Sequence, residues 1–408
     1  MAGLVWSYLL MGLFGIVQGQ SVPAALDSLI LTGQEHLYHL KFDLAEQTFR
    51  QAQEQFPDYP HGAVFLAYLT VLQYTMDLTS DSLEQLMTSR LETAIRRADA
   101  YRKRREQDPE GYFFLGMAKG FKGVVQVSDR SYLGAYFSGR GAKKNLEKTV
   151  RLDSTFYDAY LGLGVFHYYA DLLPGIIKFF AALLGFEGDR IRGMQEMQQA
   201  AAYGRYFKLE AQLFVYGVKY FLEGDTLISV PGLKALYRQY PDNQGIGLLL
   251  AYHYRRYGFM QKCLRYCLEM IRQEDPPLPM LVNLKYYNLA VAYYDLNQFA
   301  RADSVFQLLE EMPTPKSRYY QAAIALYRGH LADLRFDRET ALKYYRKIKK
   351  HKQTMYWYNL HHMFERYPMD SLMYRYHIAR NYLGSRRFSR SLRLTLELLR
   401  EIEAGKRS

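Results

Sequence analysis

YYNLAVAYYDLNQFARADSVFQLLEEMP, residues Tyr286–Pro313, decides how the rest of the chain is read. Apolar and small residues recur at spacings of three and four on both sides of the Leu-Asn-Gln break, the pattern of two amphipathic helices joined by a short turn. Tyr286, Leu289, Ala290 and Tyr293 fall on the first helix, and Ala302, Phe306 and Leu309 on the second, with Pro313 ending it. Ala290 and Ala302 are small enough for the two helices to approach closely, while the larger residues fill the space beside that contact. One such pair cannot bury its apolar faces alone, so a chain of them is expected to stack.

Other stretches repeat the pattern. Tyr160, Leu163, Gly164 and His167 occupy the first-helix positions in DAYLGLGVFH. Leu250, Ala251 and Tyr254 do so in the next clear copy, followed by Cys263, Cys267 and Met270 on its second helix. Gly329 with Ala341, and Ile378, Ala379 and Tyr382 with Ser391 and Leu398, mark two later copies. Leu29, Gly33, Ala45, Phe49, Ala52 and Pro57 form the first one. The small residue of the second helix gives the period, which is 34 from Ser229 to Cys263 and 36 from Gly193 to Ser229. It is 39 from Cys263 to Ala302, where DPPLP is inserted, and 39 again to Ala341. A period near 34 is that of the tetratricopeptide repeat. Two intervals are longer. Ala341 to Ser391 is 50, because TMYWYNLHHMFERYP is spliced in, and Ala142 to Gly193 is 51. The latter exceeds 34 by 17, which places LLPGIIKFFAALLGFEG, residues 172–188, inside one helix pair. That run is too short and too interrupted by Pro174, Gly175 and Lys178 to cross a bilayer. The fold expected is all-α, a right-handed solenoid of tetratricopeptide-like helix pairs over residues 20–408 with a short apolar helical insert. Residues 387–404 are expected to be a polar capping helix.

The segment YLGLGVFHYYADLLPGIIKFFAALLGFEGDRIRGMQEMQQAAAYG resembles the central part of the tetratricopeptide repeat protein 39 family, which includes the fungal inclusion-body clearance proteins. The shared elements are Gly162 and Gly164, Leu172-Leu173-Pro174, Gly185-Phe186, Gly188-Asp189 and Gly193, with a glycine-rich approach from Gly111 to Gly123. The resemblance covers about residues 110–225 and implies the fold and a scaffold-like role.

Leu4–Val17 is an uncharged apolar run of signal-peptide length, and Val17-Gln18-Gly19 sets small residues before Gln20 as at a cleavage site. Residues 1–19 are therefore expected to be a signal peptide, and the mature chain periplasmic or extracellular. Known relatives of the resembled family are mostly intracellular, so export is a departure from them. No cysteine follows the run, which disfavours a lipid-anchored lipoprotein, and no Asn-x-Ser/Thr sequon occurs.

The chain carries a net charge of +12, which favours acidic partners, and 38 tyrosines. Projecting the repeat places Tyr168, Tyr169, Tyr287, Tyr294 and Tyr376 on groove-facing turns with His330 and Arg380 nearby, a set suited to recognition because tyrosine offers rigid, amphipathic contact area. Cys263 and Cys267 lie on core positions of a second helix, where free cysteine behaves as a small hydrophobe. His36 with His39, and His361, His362 and Glu365, are read as surface or groove residues, since HHMFE lacks the His-Glu-x-x-His arrangement. IRRADAYRKRRE (Ile95–Glu106), YYRKIKKHK (Tyr344–Lys352) and RRFSRSLR (Arg386–Arg393) read as solvated outer faces. No Gly-x-Ser-x-Gly, P-loop or paired-carboxylate motif occurs. The function expected is a non-enzymatic scaffold that binds a protein or peptide partner, an acidic one being favoured, in a basic tyrosine-lined groove. No cofactor, metal, nucleic acid or small-molecule substrate is expected. Peripheral membrane contact through the insert and the basic helix faces is the second reading.

Overall fold

A computed structural model describes residues 22–77, 80–172 and 188–405. The expected signal peptide lies outside these residues, as does the apolar insert apart from its ends at Leu172 and Gly188. Among the described residues the chain forms nineteen α-helices and no strand. They are α1 (Ala24–Tyr38), α2 (Phe42–Gln55), α3 (His61–Met76), α4 (Asp81–Arg104), α5 (Pro109–Ser128), α6 (Tyr132–Leu152), α7 (Asp158–Asp171) and α8 (Arg190–Tyr203). There follow α9 (Lys208–Phe221), α10 (Thr226–Gln239), α11 (Gln244–Arg256), α12 (Met260–Ile271), α13 (Pro279–Asp295) and α14 (Phe299–Glu311). The last five are α15 (Arg318–Asp333), α16 (Arg338–Tyr345), α17 (Met355–Arg366), α18 (Ser371–Gly384) and α19 (Phe388–Glu403). The architecture is an α-solenoid of tetratricopeptide-like helix pairs. The chain divides into two compact units: residues 22–35, Asp43–Leu69 and Thr88–Gln212 form one, and His36–Phe42, Thr70–Met87 and residues 213–405 the other.

The small second-helix residues do what their spacing predicts. Ala142, Gly193, Ser229, Cys263, Ala302, Ala341 and Ser391 are all buried. At several of them the paired helices touch through backbone. A Cβ on Gly164 would lie 2.6 Å from the carbonyl oxygen of Gly193, and one on Gly193 would lie 2.6 Å from the amide nitrogen of Tyr168. The Ser391 hydroxyl donates to the Ala379 carbonyl across the α18–α19 crossing at 2.8 Å. Cys263 and Cys267 are free thiols in the core of α12.

Seven of the described turns within pairs are equally regular. A residue with left-handed backbone sits there: Leu40, Arg130, Gly224, Gly258, Asn297, Phe336 or Arg386. In most of these turns the next amide donates to the carbonyl five positions earlier, as from Phe259 to Tyr254, Gln298 to Tyr293, Asp337 to Ala332 and Arg387 to Tyr382. This is the Schellman closure, which satisfies a helix-end carbonyl that would otherwise go unpaired. From Gly224 onward the left-handed residues precede Ser229, Cys263, Ala302, Ala341 and Ser391 by the same five positions, so turn and crossing repeat together.

The α7–α8 pair departs from this in one way. The amide of Asp189 donates to the carbonyl of His167, on the far side of the insert, at 3.0 Å. Removing the inserted run restores the usual separation of five, so this is the same closing bond with an excursion spliced into the turn. The excursion leaves and returns at one point: a Cβ on Gly188 would overlap the Asp171 amide nitrogen, and Arg190 Nε bonds Asp171 Oδ2 at 2.6 Å.

The C-terminal helix differs from its expected polar character. Phe388, Leu392, Leu396, Leu399 and Ile402 of α19 are exposed, while Ser391 and Leu398 pack inward. Leucines and phenylalanine spaced along two faces of one helix cannot all be buried by a single partner helix. The basic residues read as its outer face share that face with an apolar stripe.

Candidate functional site

Within the C-terminal unit, the first helices of successive pairs place aromatic side chains at matching heights. Tyr287 and Tyr294 lie two turns apart on α13, and Tyr320 and Tyr327 lie two turns apart on α15, so the helices meet tyrosine to tyrosine. Tyr287 packs edge-on to Tyr320 at 5.2 Å between ring centres, and Tyr294 edge-on to Tyr327 at 4.9 Å. T-shaped pairs of this kind add to the burial energy of the rings. The ladder walls a cavity of about 810 Å³ and a second of about 340 Å³, which share Tyr327, Tyr356 and Trp357.

Tyr356 and Trp357 come from α17, the helix formed by the segment spliced between Ala341 and Ser391. That helix packs on α15 and α16, while α18 reaches back to α13. Asn381 of α18 donates to the Tyr294 carbonyl at 2.9 Å and to Asn297 Oδ1 at 2.8 Å. The insertion thus adds a wall to the aromatic cavity, and α18 supplies His377 and Arg380 to the smaller one.

The charges in these cavities are unusual. Arg255, at the end of α11, lies with its guanidinium 5.6 Å from the Tyr252 ring centre and 5.7 Å from that of Tyr287. Its Nε is buried without a hydrogen-bond acceptor, and so is Nε1 of Trp357, which lines the same cavity. Asp295 lies in the smaller cavity; burial pushes its carboxyl up to about 6, against the pull of Arg255 and Arg380. His330 and His377 pack ring on ring at 4.4 Å. Burial, with the neighbouring cations, holds His330 well below the usual imidazole range and His377 down to about 4, so both are neutral at physiological pH. The Tyr294 hydroxyl and His330 Nδ1 share a hydrogen bond at 2.6 Å.

The residues expected to line a groove fall into three places. Tyr287, Tyr294, His330 and Arg380 line the two adjoining cavities, although the first three are largely buried. Tyr168 and Tyr169 belong to the other unit. Tyr168 is only 2% exposed beneath the Gly164–Gly193 crossing, and Tyr169 is 43% exposed. Tyr376 is 55% exposed and lines neither cavity. Sequence reading did not single out Arg255, Asp295, Tyr356 or Trp357. The only signal for the last two was that TMYWYNLHHMFERYP interrupts the period.

Outside the cavities, His361, His362 and Glu365 bring their potential ligand atoms within 4.8 Å of one another. His361 is buried rather than on the surface; its Nδ1 bonds the Tyr358 carbonyl one turn earlier. His39 pairs with Asp242 at 2.7 Å. The basic run at 344–352 contributes Lys347, Lys349, Lys350 and His351 to a cleft of about 720 Å³ beside α15, so part of it faces a concavity rather than open solvent.

No curated protein sequence matches the chain significantly. Solved structures that resemble it include the human IFIT1 dimer with PPP-AAAA, at 11% identity over 93% of this chain and 95% of that one, with a TM-score of 0.45. Another is the P58(IPK) TPR domain, at 11% identity over 94% and 100%, with a TM-score of 0.25. At such identities and scores the likeness carries nothing about ligands. The family comparison is stronger: residues 138–369, more than half the chain, match the Iml2/Tetratricopeptide repeat protein 39 family, a segment that includes the glycine crossing and the interrupted turn. The chain belongs to the Iml2/Tetratricopeptide repeat protein 39 family.

Proposed function

We propose that the protein is a non-enzymatic scaffold that docks a segment of a partner protein against the aromatic cavity of its C-terminal unit. The observation that carries this reading is the cavity of about 810 Å³ walled by tyrosines from three first-helices and completed by Tyr356 and Trp357. Its size and composition suit a bound side chain or short segment better than the packing of the repeat, which needs no such opening. The helix-pair fold supports a protein partner, because stacked pairs present extended surfaces for binding. The groups of the two adjoining cavities lack the arrangement of a hydrolytic or transfer site: the histidines of the smaller one are neutral and buried, and its perturbed carboxylate is not paired with a nucleophile. In this reading the protein acts after export, with residues 1–19 removed.

The test places a photo-crosslinking amino acid at position 356 and, as a control, at the exposed position Gln307 on α14. Partner adducts are expected at 356 and absent at 307, and they should be lost when Trp357→Ala accompanies the probe while helicity is retained. Equal labelling at the two positions would show that the cavity is not the docking site. Intact-mass measurement of the mature chain tests export: a product beginning at Gln20 supports it, and a full-length product contradicts it.

A further inference from the structure

Two cations in the C-terminal unit are treated in opposite ways. Lys285 is fully buried, and its ammonium donates to Gln244 Oε1 at 3.1 Å, to the Met270 carbonyl at 3.4 Å and to the Asp275 carboxylate. That charge is satisfied, and it ties the end of α12 to the loop before α13. Arg255, on α11, stands among apolar and aromatic groups with its Nε buried and no ion-pair partner among the described residues. Two tyrosine faces offset part of its desolvation, since a guanidinium over a ring gains a modest cation–π attraction. They supply no acceptor for its N–H groups. A buried donor without an acceptor costs stability, and the indole N–H of Trp357 adds a second one in the same cavity. Neither N–H holds helices together through a hydrogen bond, because neither donates to a neighbouring carbonyl.

We propose that this cavity takes a carboxylate side chain, Asp or Glu, of the partner segment, carried beside a large apolar residue. The inference rests on the docking reading above and names the chemistry of its occupant. A carboxylate accepts two parallel N–H bonds from a guanidinium and is favoured by the fork geometry. Tyr319, Tyr320 and Tyr356 offer the adjoining aromatic surface. Charge complementarity points the same way. Arg380 adds a second cation in the neighbouring cavity, Asp295 is the one carboxyl among the described residues lining the two, and the chain as a whole is at +12.

The experiment uses the full mature chain and two fluorescein-labelled decapeptides that differ only in a central Phe-Leu-Glu-Phe or Phe-Leu-Gln-Phe, with fluorescence anisotropy as the readout. The Glu peptide is expected to bind about tenfold more tightly than the Gln peptide, the worth of one charge-assisted pair. Arg255→Gln should bring the two peptides to equal affinity, and Arg255→Lys should restore only part of the difference because the fork is lost. Arg255→Gln is also expected to cost little stability, since the guanidinium makes no hydrogen bond within the protein and, beyond its modest ring contacts, loses only the through-space attraction of Asp295; a large loss of stability would make Arg255 structural and overturn the inference. Equal binding of both peptides by the parent chain, or a Glu preference that survives Arg255→Gln, overturns it too. Binding of neither peptide likewise overturns the carboxylate assignment. The docking reading is then judged separately by crosslinking at position 356, which does not depend on the ligand's charge.

Discussion

Individual residues in this chain are held in unequal electrostatic circumstances, and His61 with Glu110 is the sharpest case in the N-terminal unit. His61 is fully buried against Phe114, and its Nε2 lies 3.4 Å from Glu110 Oε2, too far for a strong bond. Burial and the nearby Arg205 hold the imidazole down to about 3, while burial and Asp108 push the Glu110 carboxyl up to about 8. Both groups are therefore neutral near pH 7. The sign of the linkage follows from the raised carboxyl. The proton on Glu110 favours folding fully below the unfolded value of 4.5, and that contribution is lost as pH rises through about 8. His61 works the opposite way: its contribution is present above 6.5 and is lost as pH falls toward 3. Glu110→Gln, which keeps the shape and a neutral donor, is expected to gain stability over the parent as pH is raised from about 5 to about 9, by on the order of a few kcal/mol at the alkaline end. Denaturant unfolding at a series of pH values measures it. A difference independent of pH would mean that Glu110 titrates as an ordinary surface carboxylate.

At the scale of the element, the chain repeats a helix–turn–helix unit whose turn geometry is stricter than its sequence. Five of the described turns put a residue other than glycine in left-handed backbone: Leu40, Arg130, Asn297, Phe336 and Arg386. An L-residue pays about 1 kcal/mol or more for that conformation, and only asparagine among these adopts it readily. The Schellman bond holds the turn regardless, joined at Asn297, Phe336 and Arg386 by the close helix crossing five positions later. Arg130 is exposed with φ of 61°, so Arg130→Gly is expected to stabilise by about 0.5 to 1 kcal/mol, the left-handed penalty less the added backbone entropy of glycine. Gly258 provides the contrast. Its φ is 76°, and a Cβ there would overlap the Gly384 carbonyl oxygen, so Gly258→Ala should destabilise. Thermal melts of the two variants decide whether backbone conformation or side-chain contact governs these turns. The small residue at each crossing could be found in the sequence because it repeats with the period. The left-handed residue could not, because leucine, arginine and phenylalanine carry no sign of it.

For the whole molecule, the same contrast separates what the sequence made legible from what it did not. Periodicity places Ala290, Ala302 and Phe306 in the core and locates the interrupted turn between Asp171 and Gly188, since repetition supplies many copies of one signal. Arg255 has no such support. It stands in the run His-Tyr-Arg-Arg-Tyr, where a charge at a helix end reads as solvated, and only folding sets Tyr287, Tyr327 and Trp357 around it. Its charge is therefore expected to act differently from that of the chain's solvated lysines and arginines. The net charge of +12 acts at a distance and steers an acidic segment toward the protein, an effect screened once the Debye length falls below about 10 Å. Arg255 acts only at contact, in a cavity where salt screens little. Raising salt from about 50 to about 500 mM should thus slow association of the Glu decapeptide roughly tenfold while changing dissociation little. Arg255→Gln should instead speed dissociation and leave the salt dependence of association in place. Stopped-flow anisotropy separates the two rates. If Arg255→Gln flattens the salt dependence of association while leaving dissociation unchanged, Arg255 is one more surface charge and the enclosed carboxylate site does not exist.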